Sequence, residues 1–116
     1  MHEFSLAKTI VTATLAELKK RPAARLRTVR VVIGRQHAVV PENLRFAFAT
    51  LIRETPARGA RLAIRTRPIA IRCRKCGWKG AVKAPLYLCK SCGAGAVEVT
   101  GGNELYLQSL EVETDA

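Results

Sequence analysis

Apolar positions along the first twenty residues recur in steps of three and four. Phe4, Ala7, Ile10, Val11, Thr14, Leu15 and Leu18 fall on one stripe, which predicts an amphipathic helix from about Phe4 to Lys20. Pro22 stops it, because proline cannot continue the hydrogen-bond ladder. The period then changes to two. Thr28-Val29-Arg30-Val31-Val32-Ile33 is β-branched and alternating, a strand closed by Gly34. Pro41-Glu42 suits the first turn of a helix, where proline loses no bond and negative charge is favoured. Leu44, Phe48, Leu51 and Ile52 carry that second helix to about Glu54.

Pro56-Ala57-Arg58-Gly59 reads as a turn, and Leu62 and Ile64 lead a second strand. Ile69 and Ile71 extend it toward the first cysteine, with Pro68 as a bulge, an edge position or the exit from the sheet. Gly101-Gly102-Asn103 turns the chain into a last strand, Glu104 to Val112. Leu105 and Leu107 share one parity, Leu110 and Val112 the other, so a bulge or burial on both faces is expected. The order predicts a two-layer α/β domain: a three-stranded, mainly antiparallel sheet with two helices, and a four-cysteine, zinc-ribbon-like lobe inserted between the last two strands. The expected division is an α/β domain of residues 1–70 and 101–116, and a zinc-binding domain of residues 71–100.

Composition narrows the classes. The 116 residues suit one compact domain with a small appendage. At 48% hydrophobic but only 5% aromatic, the core must be built from Leu, Ile, Val and Ala. No apolar run is long enough to span a membrane, where about 18 residues are needed. His2-Glu3 and the Lys19-Lys20-Arg21 end of the first helix do not read as a signal peptide. A soluble, cytoplasmic protein is expected. The net charge of +11 raises the alternative of a basic zinc-ribbon protein that binds nucleic acid. One Trp and two Tyr offer little for base stacking, which counts against it.

Chemistry concentrates in the cysteines. Cys73-Arg74-Lys75-Cys76 and Cys89-Lys90-Ser91-Cys92 are two Cys-x-x-Cys pairs separated by twelve residues, and they use all four cysteines of the chain. Each pair offers two thiolates from one tight turn, and zinc accepts four thiolates tetrahedrally. Such a site is closed, so its zinc is structural, and a rubredoxin-type iron is the lesser alternative. Trp78, Tyr87 and Leu86 are the expected core of the lobe. An enzyme is not expected: the zinc has no open position, and the chain has two histidines and no paired carboxylates.

The first three residues are Met1-His2-Glu3. His2 is too large to permit methionine removal, so the Met1 amine should persist one residue before an imidazole. Amine, amide and ring nitrogens in fused chelate rings suit tetragonal Ni(II) or Cu(II); a first-turn role for Glu3 or Ser5 in the helix is the plainer reading.

A start of Met-His-Glu-aromatic-Ser-Leu, a strand ending Ile33-Gly34, a Pro41-Glu-x-Leu-x-Phe-x-Phe helix, paired Cys-x-x-Cys motifs and the tail Gly102-Asn103-Glu104-Leu105 with Ser109-Leu110-Glu111 together resemble the hydrogenase maturation nickel chaperone family, the HypA/HybF proteins. The resemblance spans essentially the whole chain. It implies transported Ni(II) held at Met1, His2 and Glu3, and structural Zn(II) at Cys73, Cys76, Cys89 and Cys92. It implies as partners a hydrogenase maturation GTPase and the large subunit of nickel-iron hydrogenase, with urease accessory proteins in some organisms. A homodimer is compatible with it, and neither a membrane nor nucleic acid is implied. The family often carries an acidic residue just after the Ile-Gly strand end, where this chain has Arg35, then His37 and Val40. His37 could take that place if the turn lies beside the N-terminus, although a lone histidine in a turn is more often unliganded. The strong positive charge suggests an acidic docking surface on a partner.

Overall fold

The computed structural model describes residues 2–22 and 25–113. Its elements run α1 (His2–Leu18), β1 (Arg25–Gly34), a short 3-10 turn (Arg35–His37), α2 (Pro41–Ile52), β2 (Arg61–Arg67), β3 (Ile69–Cys73), β4 (Lys79–Val82), β5 (Val97–Gly101) and β6 (Leu105–Glu113). They form two compact units. One comprises Met1–Val32, Val39–Arg65 and Tyr106–Ala116, the other Ile33–Ala38 and Thr66–Leu105. No helix among the described residues is long and apolar enough to cross a membrane.

In the first unit α1 packs on α2. α1 buries Leu6, Ala7, Ile10, Val11, Thr14 and Leu18, and α2 buries Leu44, Ala47, Phe48 and Ile52. Thr14 is fully buried yet polar, and its hydroxyl donates to the Ile10 carbonyl at 2.8 Å, so no hydrogen-bonding group is stranded. Leu26, Val29, Val31 and Val32 of β1 complete this core. β1 is the central strand of a sheet in the order β2-β1-β6, and residues of both its parities are buried. Arg27 pairs with Glu113 and Arg30 with Glu111 at 2.7 Å. These contacts climb β1 while descending β6, as antiparallel neighbours do.

β6 differs from its sequence reading. It is an edge strand with no fully buried residue, so the expected burial on both faces is not seen, with Leu105 41% and Tyr106 47% accessible.

Pro68 is the exit from the sheet. β2 ends at Arg67, and Ile69 opens β3 in a second three-stranded sheet of order β4-β3-β5. Proline lacks the N–H that a continuous ladder would need. β3 pairs antiparallel with β4, Ile69 opposite Val82 and Arg72 opposite Lys79, and with β5, Arg72 opposite Glu98 and Cys73 opposite Val97. The small core is Ile69, Ile71 and Val82, with Trp78, Tyr87 and Val97 packed on it. Leu86 is not in that core. It is 67% exposed, while the next residue, Tyr87, packs on Ile69, Ile71 and Val82.

The same unit holds a tight backbone crossing. Gly34 N–H donates to the Glu104 carbonyl at 2.7 Å and Gln36 N–H to the Gly102 carbonyl at 2.8 Å. A Cβ on Gly34 would sit 1.9 Å from the Gly102 oxygen, so only glycine allows the approach.

Candidate metal centre and N-terminal site

The two Cys-x-x-Cys pairs fold as matching knuckles. β3 delivers Cys73, whose N–H donates to the Trp78 carbonyl at 2.7 Å and whose carbonyl receives Gly77 N–H at 3.0 Å; Cys89 repeats this with Ala94 and Gly93 at 3.0 and 2.9 Å. Gly77 and Gly93 adopt φ of 82° and 77°, the left-handed region that closes each turn without a Cβ penalty. Each turn aims two amides at its first sulfur. Lys75 and Cys76 N–H reach Cys73 Sγ at 3.4 Å, and Ser91 and Cys92 N–H reach Cys89 Sγ at 3.3 Å.

The knuckles bring all four sulfurs within 4.8 Å of one another. Cys73 and Cys92 Sγ lie 3.7 Å apart, Cys76 and Cys89 Sγ 3.5 Å. A disulfide would need about 2.05 Å. A tetrahedral metal with bonds of about 2.3 Å needs sulfur–sulfur edges of about 3.8 Å. The cluster therefore fits a four-thiolate metal ion, with Cys73 and Cys89 buried and Cys76 and Cys92 exposed.

Its electrostatics are uneven without a cation. The Cys76 N–H on its sulfur, helped by Lys75 N–H and neighbouring thiols against burial, draws the Cys73 thiol down to about 6. Trp78 N–H acts downward on Cys76, but the Cys89 thiol, burial and the other two sulfurs outweigh it and push Cys76 up to about 11. Burial raises Cys89, yet the N–H groups of Cys92 and Ser91 prevail and its thiol ends below the usual range. The two thiols that are lowered are those whose sulfurs receive paired amides. A divalent ion held by the four sulfurs would favour their deprotonated form.

At the other candidate site, His2 is the exposed first residue of α1 and Glu3 is half-buried beside it; Met1 lies outside the described residues. The first amides of a helix have no acceptor within it, so the His2 and Glu3 nitrogens are not committed to the ladder. Glu3 Oε2 accepts the Val40 N–H at 3.2 Å. That bond, followed by one from its own amide, holds the Glu3 carboxyl below its ordinary value. The sequence marked Val40 only as a departure in the turn after Gly34, and its role as a donor was hidden because a backbone N–H carries no residue signature. His37 is half-buried, and its Nε2 donates to the Asn103 carbonyl at 3.0 Å, which leaves Nδ1 as the ring's open nitrogen when neutral.

Residues 1–112 match the family described as hydrogenase/urease nickel incorporation, metallochaperone, hypA. The chain belongs to the HypA family. The hydrogenase maturation factor HypA of Alkalilimnicola ehrlichii is 37% identical over 113 residues, covering 97% of this chain and all of that one. The corresponding factor of Chlorobium limicola is 35% identical, covering 97% of each. Among solved structures, the nickel metallochaperone HypA of Helicobacter pylori matches at 30% identity and a TM-score of 0.63, over 99% of this chain and 100% of that one. The expected family is thereby borne out, as is the fold of two helices, a mainly antiparallel three-stranded sheet and a four-cysteine lobe.

Proposed function

We propose that this HypA-family protein is a nickel carrier, which takes up Ni(II) at Met1, His2 and Glu3 and hands it on during maturation of nickel-iron hydrogenase. The observation that carries the reading is the start of α1 at an exposed His2. Amides there can lose their protons to a metal without breaking helical hydrogen bonds, and the positive end of the helix favours the resulting negative charge. The amine of Met1, the His2 amide and ring, and the Glu3 amide would form a nitrogen-rich, tetragonal set suited to Ni(II). Its ligands must be deprotonated, so loading is reversible and sensitive to pH.

In the same reading Cys73, Cys76, Cys89 and Cys92 hold Zn(II), which supplies a structural cross-link and leaves no open position for chemistry. The chain then acts without turnover, as a carrier and not an enzyme, in the cytoplasm. A maturation GTPase and the hydrogenase large subunit are the expected partners, with urease accessory proteins as a second set of clients.

Nickel calorimetry on zinc-loaded protein with its native N-terminus, beside His2→Ala, tests this. The expected result is wild-type affinity at about micromolar or tighter, lost in the variant while zinc content stays constant. Equal binding by both proteins, or none by either, refutes the N-terminal site.

A further inference from the structure

β1 and β2 both open on alternation. Arg25 and Arg27 are exposed while Leu26 and Thr28 are buried, and exposed Arg61 precedes buried Leu62. A period of two puts Arg25 and Arg27 on one face of β1, and β2 is the neighbouring strand. Arg25, Arg27 and Arg61 line one open hollow of about 500 Å³, together with Thr28, Gly59 and Glu111. On the β6 side the positive charge is met, since Glu113 pairs with Arg27 and Glu111 with Arg30. Among the described residues, Arg25 and Arg61 form no ion pair. Arg27 and Arg61 both act on the Glu111 carboxyl, as Arg30 does more strongly, so their charges reach into the same space.

We propose that this hollow is a binding site for an oligophosphate anion, the diphosphate or triphosphate group of a small molecule, held by Arg25, Arg27 and Arg61. A guanidinium fork matches phosphate oxygens in pairs and is always charged. Arg25 and Arg27 leave their strand about 7 Å apart, and Arg61 leaves a strand about 4.8 Å to the side. That spread suits linked phosphates better than a single one. The volume also lies in the range of small-molecule sites, roughly 300–1,000 Å³. Glu111 opposes an anion, but Arg30 donates to it at 2.7 Å and offsets its charge. The site stands apart from the nickel reading: all its residues belong to the first unit, and none is a proposed metal ligand.

Calorimetry on the full, zinc-loaded, nickel-free chain tests it at low ionic strength, where exposed charges are least screened. The probes are inorganic phosphate, pyrophosphate, ATP and a hexaglutamate peptide. Pyrophosphate should bind about tenfold more tightly than inorganic phosphate, because a second phosphate engages a further guanidinium. Arg25→Gln and Arg61→Gln should each weaken pyrophosphate about tenfold, the loss of one charged hydrogen bond. Arg45→Gln removes an equal charge from an exposed position of α2 and should change binding less than about twofold. All three substituted arginines are exposed, so the fold should survive each change. ATP binding as pyrophosphate does would support recognition of the phosphates alone, and tighter ATP binding would support a nucleotide as their source. Equal weakening by Arg45→Gln and Arg61→Gln would overturn the site, since binding would then be a diffuse property of a chain of charge +11. Hexaglutamate binding as tightly as pyrophosphate, and lost in the same variants, would overturn it in favour of an acidic peptide. Inorganic phosphate binding as tightly as pyrophosphate, or no binding of any probe, would overturn it outright.

Discussion

Two residues show how differently position can be constrained. Gly34 has φ −72° and ψ 146°, a conformation open to any amino acid, so its need for glycine is purely spatial. The Gly102 carbonyl and the Asn103 nitrogen occupy the volume a Cβ would take, and backbone cannot rotate aside. Gly34→Ala should therefore cost at least the upper end of the roughly 1–3 kcal/mol typical of overpacking. Denaturation followed by Trp78, the chain's single tryptophan, measures it, and wild-type stability would contradict the crossing. Glu111 is constrained by charge. A hydrogen bond from Arg30 and its positive charge, with Arg27 and Arg61 nearby, hold its carboxyl below the usual range. A depressed folded value means stabilisation that is present above the ordinary carboxylate range and lost as pH falls through the shifted one. In an NMR titration, the Glu111 midpoint should move up toward the ordinary value in Arg30→Gln. An unmoved midpoint would exclude the ion pair as its cause.

At the scale of elements, what could be read from the chain depended on whether an element's neighbours leave a periodic mark. α2 reads cleanly: Pro41 opens it, and Leu44, Phe48 and Ile52 are buried as their spacing predicts. Phe48→Ala should cost about 3–5 kcal/mol, measured by thermal unfolding with helical ellipticity; a negligible change would remove Phe48 from the core. The α1 stripe was nearly right, but it omitted Leu6, which is buried, and included Phe4 and Leu15, which are half-buried. A helix that buries a wide arc does not reveal its edges through one stripe. β6 misled because an edge strand has no dry face to enforce alternation. The cysteine knuckles were the most legible part, since Cys-x-x-Cys-Gly states ligands and turn together. The second sheet was hidden, because β4 (Lys79–Val82) is four residues with no apolar period, and β5 (Val97–Gly101) shows a single alternation, Val97 and Val99, too short to mark a strand. Chelation of the metal should therefore remove more than a bound ion. Without it, the sheet of β3, β4 and β5 rests on the small core of Ile69, Ile71 and Val82 with Trp78, Tyr87 and Val97 packed on it, and metal affinity becomes folding energy in so small a unit. Loss of Trp78 fluorescence structure and of β-signal on chelator addition is expected, with the α1 and α2 signal retained. An unchanged spectrum would contradict a metal-built unit.

The whole molecule combines a strongly basic chain with two proposed metal sites of opposite character. Thiolates in closed knuckles keep an ion, whereas nitrogens at a chain end release one. The net charge of +11 belongs to the partner side of the account. If it steers an acidic partner such as the maturation GTPase, complex formation should weaken markedly between low and physiological salt, mainly through the association rate. Salt-independent association would leave the basic surface without that role. The division of labour between the metals is the central claim, and X-ray absorption at the nickel and zinc edges of protein loaded with one equivalent of each tests it most directly. The account predicts nickel surrounded only by nitrogen and oxygen, and zinc by four sulfurs at about 2.3 Å. Sulfur around nickel would place the cargo in the cysteine cluster and contradict it.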